Sequence, residues 1–185
     1  MIPMDFWETT PMTDRELFQA IASAALLRGE FTLRSGRKSN YYLDKYLFES
    51  DPVILRELGE RLAGHVTAGT TRIAGAELGG VAPAASASMA SGLPFVIIRN
   101  AKKGYGTQKM YEGKLEPGDQ VLLVEDVATT GGQVLEAART ISEAGATVQA
   151  IVAVIDRQEG ARENIEAAGY NFASLMTKAD LGITD

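Results

Sequence analysis

The amino-acid sequence predicts an α/β fold with a doubly wound, mostly parallel β-sheet. Continuous apolar runs rich in β-branched residues occupy residues 95–98, 121–124 and 147–155, as is typical of strands buried on both faces of a parallel sheet. Segments compatible with helices lie between these runs, and this alternation favours parallel strands joined by helical crossovers. The 185 residues contain no repeat, low-complexity segment or linker, so we expect a single domain over residues 1–185.

The first part of the chain predicts a helix followed by a small hairpin. Thr13 and Glu16 have the spacing of a capping box, and the helix that they begin is expected to stop at Gly29. Residues 31–34 and 41–43 have the composition of two short strands around a Ser-Gly turn. Asp51 followed by Pro52 then predicts the start of a second helix.

The remaining elements alternate in type along the chain. Strands are predicted at residues 72–76, 95–98, 121–124, 147–155 and 172–175, and helices at residues 81–91, from Gly131 to about Gly145, and 161–168. The carboxyl ends of parallel strands share one edge of a sheet, so Asp156 and Arg157, which follow the strand at 147–155, are expected beside Glu125 and Asp126.

Residues 121–132 form the most informative motif. Glu125 and Asp126 follow a buried strand, at the edge where open α/β sheets bind their ligands. Small and hydroxylated residues at 128–132 then lead into a helix, and such a turn directs backbone N–H groups at an anion, most often a phosphate. A carboxylate pair repels a phosphate alone, so the motif indicates a sugar phosphate. The alternative is an ordinary strand-to-helix turn with a solvated acidic pair.

Two basic segments lie outside this motif. Arg34, Arg37 and Lys38 cluster beside Tyr41 and Tyr42, either as a surface hairpin with solvated cations or as a lid for a planar anionic ligand. Residues 100–113 hold three lysines, Lys102, Lys103 and Lys109, with several glycines and almost no apolar pattern. This composition predicts either a solvated basic loop or a mobile flap that closes over a polyphosphate.

Composition excludes several classes of function. A net charge of -6 argues against nucleic-acid and acidic-membrane partners. With no cysteine and one histidine, the chain has no disulfide, thiol nucleophile or zinc site built from cysteines or a histidine cluster. No apolar run has the length of a membrane span, and the first residues lack the pattern of a signal peptide. We therefore expect a cytoplasmic protein.

The motif at 121–132 resembles the phosphoribosyl-diphosphate (PRPP) signature of the type I phosphoribosyltransferases. Together with the segment at 31–42 and the flap, it resembles the orotate phosphoribosyltransferase family over residues 14–157. This resemblance implies the type I phosphoribosyltransferase fold with a small N-terminal hood at about residues 13–44. It also implies transfer of the 5-phosphoribosyl group from PRPP to orotate, giving orotidine 5'-monophosphate and pyrophosphate, with Mg²⁺, in a homodimer whose flap reaches the neighbour's site.

The resemblance also implies roles for particular residues. It places PRPP contacts at Arg99, Lys103, Tyr105, Glu125, Asp126, Val127, Ala128, Thr129, Thr130, Gly131, Gly132 and Gln133. It places orotate contacts at Arg34, Tyr42, Thr129 and Arg157. The implied catalytic groups are Arg99, Lys103 and Asp126, and the magnesium ion is expected to arrive with PRPP rather than to be held by a set of protein ligands.

The chain departs from the family pattern at four positions. Asn100 and Gly79 stand where lysines are usual, Tyr105 stands where a histidine is usual, and Arg34 stands where several members have lysine. Two alternatives to orotate transfer therefore stay open at this point. One is a non-catalytic regulator of the same fold that binds PRPP, and the other is a purine phosphoribosyltransferase.

Overall fold

A computed structural model describes residues 10–32, 36, 38–100 and 109–183 of the chain, beginning with a helix and an antiparallel hairpin. The first elements are α1 (Asp14–Ala25), β1 (Leu26–Thr32), β2 (Lys38–Leu43), α2 (Lys45–Glu49) and α3 (Pro52–Ala63). The predicted caps are confirmed, because Thr13 and Glu16 form a capping box and the Asp51 carboxylate accepts hydrogen bonds from the first amides of α3.

The predicted boundary between the first helix and the hairpin is wrong. Helix α1 ends at Ala25 rather than at Gly29, and β1 begins at Leu26 rather than at Phe31. The reason is that residues 26–28 already pair with Leu43, Tyr42 and Tyr41 of β2. Gly29 lies where the register of this pairing shifts, so it marks an irregularity of the strand and not a helix stop.

A six-stranded sheet forms the centre of the fold. Its elements are β3 (Arg72–Ala76), α4 (Val81–Ser91), β4 (Phe95–Ile98), β5 (Tyr111–Glu112), β6 (Gln120–Ala128), α5 (Gly132–Glu143), β7 (Thr147–Asp156), α6 (Ala161–Ala167) and β8 (Phe172–Thr177). The strand order is β5-β4-β3-β6-β7-β8, and every pair is parallel except β4 with β5.

Two hydrophobic clusters cover the two faces of this sheet. Leu122 and Val124 of β6 pack into the cluster that includes the buried residues of α1, α3 and α4, whereas Val121 and Leu123 pack into the cluster of α5 and α6. Because side chains of a strand alternate between faces, one apolar run supplies both clusters. The predicted doubly wound, mostly parallel α/β fold is confirmed.

The central strand is longer than its apolar run predicts. Strand β6 continues to Ala128, because Glu125, Val127 and Ala128 pair with the backbone of Ala153, Ile155 and Asp156 on β7. Glu125 and Asp126 therefore lie inside the strand and not beyond its end. Helix α2 and strand β5 are two further elements that the sequence patterns did not predict.

Candidate active site

A pocket of about 170 Å³ opens at the carboxyl end of β6. Its lining consists of Glu125 and the consecutive residues 127–134, which include the turn predicted to bind phosphate. Gly131 has a φ of 78° and occupies the N-cap position of α5. A side chain there would be strained in this left-handed conformation, and its Cβ would lie 3.0 Å from Ile165 Cγ1.

Contacts from outside the turn hold it in this shape. The side-chain amide of Asn164 donates a hydrogen bond of 2.9 Å to the carbonyl of Thr130. The first amides of α5 point into the pocket region with the partial positive charge of a helix N-terminus. The turn therefore has the backbone donors and the electrostatic potential that a phosphate group requires.

Glu125 and Asp126 lie in different surroundings because they are neighbours on one strand. Glu125 lines the pocket, whereas Asp126 Oδ2 forms an ion pair with the Nζ atom of Lys45 on α2. The Asp126 side chain is 2% exposed and that of Lys45 is 33% exposed. Glu49, also on α2, is the third buried carboxyl group of this cluster and interacts electrostatically with Asp126.

Burial and mutual repulsion give these carboxyl groups different pKa values. Burial, followed by the hydrogen bond and charge of Asp126, raises the pKa of Glu125 well above its usual range. Burial and the charge of Asp126 also raise the pKa of Glu49, to about 8. Burial opposes ionisation of Asp126 as well, but hydrogen bonds from Glu125 and Lys45 outweigh it and lower its pKa. At neutral pH, Asp126 is therefore the ionised member of the cluster.

Gly79 borders this cluster. A Cβ atom built on Gly79 would overlap the Asp126 carboxylate and would lie 2.8 Å from Lys45 Nζ. No side chain fits at position 79 while this ion pair is in place, because the carboxylate belongs to a central strand and cannot withdraw easily. The structure thus gives a steric reason for the absence of a lysine at this position.

Arg157 lies beside this pocket, at the carboxyl end of β7. Its backbone N–H donates to the carbonyl of Ala128, and its guanidinium donates to the hydroxyl of Tyr41 at 3.0 Å and to Glu159 at 2.8 Å. The hood hairpin therefore contacts the sheet edge through Tyr41. Tyr42, which was predicted to bind orotate, is 45% exposed, and its ring packs on Phe31. Its role stays a prediction.

The base of the flap is tied to the phosphate-binding turn. Asn100 donates hydrogen bonds to the carbonyl and the carboxylate of Glu77, at 2.7 and 3.1 Å. Gln133, at the start of α5, donates to the same Glu77 carbonyl at 2.7 Å and to Asn100 Oδ1 at 3.2 Å. Arg99 contacts Glu112 across the β4–β5 pair at 3.4 Å. Asn100 thus has a bridging contact where the family pattern has a lysine.

Comparisons with known proteins agree with this geometry. The family model described as "Phosphoribosyl transferase domain" matches residues 55–170. Orotate phosphoribosyltransferase from Methanocella arvoryzae is 47% identical over 169 residues, which cover 91% of this chain and 97% of that protein. The chain belongs to the orotate phosphoribosyltransferase family.

Solved structures of orotate phosphoribosyltransferases have the same fold. The crystal structure of the Mycobacterium tuberculosis enzyme in complex with PRPP has a TM-score of 0.78 and 30% identity, covering 92% of this chain and 100% of that chain. The Aeropyrum pernix enzyme has a TM-score of 0.79 and 31% identity, covering 90% of this chain and 96% of that chain. The type I phosphoribosyltransferase fold and the resemblance to the orotate family are therefore confirmed.

The structure brings together only part of the site that the sequence predicted for an orotate phosphoribosyltransferase. One pocket is lined by Glu125 together with Val127, Ala128, Thr129, Thr130, Gly131, Gly132 and Gln133. Asp126 is not part of this lining, and its side chain forms an ion pair with Lys45. Arg34, Lys103 and Tyr105 lie outside the described residues. Lys45 and Glu49 were missed, and Tyr41 was predicted only as part of a surface hairpin or lid. No local pattern indicates that α2 and β2 contact the carboxyl ends of β6 and β7.

Two further structural findings concern the described residues. Across residues 10–32, 36, 38–100 and 109–183, no group of three or more His, Asp or Glu side chains is arranged to hold a metal ion. Within the same part of the chain, no helix is both long enough and apolar enough to cross a bilayer.

Proposed function

We propose that this orotate phosphoribosyltransferase transfers the 5-phosphoribosyl group of PRPP to orotate, and that the residues around the β6 pocket bind PRPP. The observation that supports these assignments is the adjacency of three features. The phosphate-binding turn, the ionised Asp126 and the Arg157 guanidinium all lie at the carboxyl ends of the neighbouring strands β6 and β7. The turn would bind a phosphate, Asp126 would accept from ribose hydroxyls, and Arg157 would pair with the carboxylate of a planar ligand.

Each residue has a role that follows from its surroundings. The amides at 129–132 bind the 5'-phosphate and so orient the reacting sugar carbon. Asp126, with its lowered pKa, accepts hydrogen bonds from the ribose hydroxyls, and Arg157 pairs with the carboxylate of orotate. Arg99 and Lys103 stabilise the negative charge that develops on the departing pyrophosphate. Closure of the flap excludes the water that would otherwise hydrolyse PRPP.

The residues of the site fit a magnesium ion that binds together with PRPP. Carboxylate oxygens are ligands that Mg²⁺ prefers, and the ion is usually held by one or two carboxylates and substrate phosphates rather than by a cage of protein ligands. The described residues contain no group of three or more His, Asp or Glu side chains arranged to hold a metal ion, so the oxygens of PRPP would hold the ion and Asp126 would contact the ribose hydroxyls. When bound, magnesium offsets part of the charge of the pyrophosphate leaving group.

An orotate-dependent assay tests the function directly. We expect loss of orotate absorbance only when the protein, PRPP and Mg²⁺ are all present, and loss of the activity in EDTA with recovery on adding Mg²⁺. Hypoxanthine and uracil serve as alternative acceptors. Turnover of hypoxanthine without turnover of orotate would favour a purine phosphoribosyltransferase. Binding of PRPP without turnover of any base would favour the non-catalytic regulator.

We also propose a cytoplasmic homodimer in which each flap completes the neighbour's site. A mixture of two inactive variants, Lys103→Ala and Asp126→Asn, tests the sharing of sites under conditions that let subunits exchange. In a mixed dimer, the Lys103→Ala chain keeps its ribose site and receives an intact flap, whereas the other site lacks both groups. Random pairing makes half of the dimers mixed, so activity should recover to about a quarter of the unmodified enzyme's.

The two variants incubated separately under the same exchange conditions are the controls. Size-exclusion chromatography with light scattering checks that both variants keep the same oligomeric state. A mixture that stays as inactive as its two parents would mean that each flap serves its own subunit.

A further inference from the structure

The ion pair between Lys45 and Asp126 joins helix α2, which directly follows the hood, to the centre of the sheet. Lys45 is the first residue of α2, and Asp126 is a buried residue of β6. The Lys45 side chain is one-third exposed, whereas that of Asp126 is 2% exposed. The ion pair therefore joins a partly solvated cation to a buried carboxylate.

The charges of the cluster make this contact important. Glu49, Glu125 and Asp126 are all buried. Among the described residues, Glu49 Oε1 and Glu125 Oε2 lack a hydrogen-bond partner, and Asp126 Oδ2 has only its ion pair with Lys45. Three ionised carboxylates cannot share such a site without compensation, because a buried, unpaired charge is costly. Among the described residues, Lys45 is the cation that forms an ion pair with the cluster, and its partner is Asp126.

We propose that Lys45 is a positioning residue of the ribose site: through its contact with Oδ2 it holds the Asp126 carboxylate ionised and oriented to accept hydrogen bonds from the ribose hydroxyls of PRPP. This proposal rests on the proposed function of the pocket. Lys45 would therefore determine which carboxyl group of the cluster is the acceptor for PRPP. This role places a residue of α2 in the binding of the sugar phosphate rather than of the base.

Gly79 supports the proposal independently, since its lack of a side chain leaves the space that the pair occupies. The Cβ position of Gly79 lies 2.8 Å from Lys45 Nζ and overlaps the carboxylate of Asp126. The neighbouring Tyr46 ring also lies 5.3 Å from the ammonium group. The pair is thus enclosed by elements from three parts of the chain, as expected for a contact that fixes a side chain in one orientation.

Titratable groups on two elements interact with the pair. Asp44, Tyr46 and Glu49 lie on or beside α2, and Glu125 lies on β6. Partial burial works to lower the pKa of Lys45, but the hydrogen bond and charge of Asp126 outweigh this effect and raise it. Lys45 therefore stays charged across the pH range in which the carboxyl groups titrate.

The test replaces Lys45 by methionine, which has a similar length and no charge. We expect Lys45→Met to lower kcat/KM for PRPP by about 30-fold or more at pH 7 and to leave KM for orotate within about twofold. The acid limb of the pH profile of kcat/KM for PRPP should move up by about one pH unit or more, because Asp126 then ionises only at higher pH. In Lys45→Arg, the acid limb should lie within about half a pH unit of that of the unmodified protein.

Lys114 offers a matched control, because it is a 73% exposed lysine that pairs with Glu116 far from the pocket. Lys114→Met should leave both the rate and the pH profile unchanged. Circular dichroism checks that each variant is folded. If Lys45→Met does not fold, Lys45→Gln replaces it, since glutamine keeps a hydrogen-bond donor without the charge.

Calorimetric titration of PRPP into the protein without orotate separates this proposal from the proposed function. We expect Lys45→Met to weaken PRPP binding about tenfold or more at pH 6 and less at pH 8, even if orotate proved not to be the acceptor. The role of Lys45 would be overturned if folded Lys45→Met or Lys45→Gln had the same acid limb and the same PRPP affinity as the unmodified protein. Tighter PRPP binding would overturn it as well, by showing that Lys45 only competes with the ligand.

Discussion

Asp126→Asn should lower kcat/KM for PRPP by about 100-fold or more, whereas Glu125→Gln should lower it by less than about tenfold. The two carboxyl groups are neighbours, but burial and the charge of Asp126 raise the pKa of Glu125, while Lys45 and Glu125 keep the pKa of Asp126 low. Glu125→Gln therefore replaces a neutral carboxyl group by a neutral amide of similar shape. Asparagine removes the ionised carboxylate of the cluster, and it leaves Lys45 without its buried partner.

Steady-state kinetics with varied PRPP at saturating orotate measures both effects. Thermal unfolding of the two variants shows whether a loss of activity reflects a loss of structure. Equal losses in the two variants would mean that both carboxylates are ionised when PRPP binds. A larger loss in Glu125→Gln would reverse the assignment of the ionised group.

Gly79→Ala should lower the free energy of unfolding by about 1–3 kcal/mol and should lower kcat/KM for PRPP with it. The added Cβ would overlap the Asp126 carboxylate and crowd Lys45, and the Asp126 side chain is buried. Accommodation requires Asp126 or the turn after β3 to move, and either movement disturbs the ribose site. Denaturant unfolding measures the stability, and the PRPP kinetics measure the site.

Gly69→Ala is the matched control for this prediction. A Cβ at Gly69 would meet only the end of the Gln149 side chain, at 3.2 Å. The Gln149 amide accepts from the Thr70 hydroxyl, but a shift of a few tenths of an ångström relieves the contact without breaking that hydrogen bond. The free energy of unfolding of this variant should lie within about 0.5 kcal/mol of that of the unmodified protein. A Gly79→Ala protein as stable and as active as the Gly69→Ala protein would show that the Asp126–Lys45 pair adapts to a side chain at position 79.

The elements with strong local signals were predicted closely. Strands β3 and β4 and helix α4 have the bounds that the sequence indicated, because each combines an apolar run or a small-residue segment with a clear turn on either side. The hairpin of the hood was predicted less well. Its pairing with β2 extends β1 back to Leu26, which no residue pattern within residues 26–30 indicates. Strand β5 is two residues long and exists only because it pairs with β4.

The phosphate-binding turn is encoded locally, since the strand, the acidic pair, the small residues and the helix follow one another within residues 120–143. These features indicate both the doubly wound fold and the ligand class, because backbone geometry and the helix N-terminus depend on neighbours in the sequence. The contacts between the site residues and their partners are not encoded locally. Contacts such as Lys45 with Asp126 and Tyr41 with Arg157 join distant parts of the chain. These contacts form only when residues 41–49 pack against the carboxyl ends of β6 and β7. The same packing determines which carboxyl group is ionised, because a pKa depends on burial and on charges that are close in space rather than in sequence.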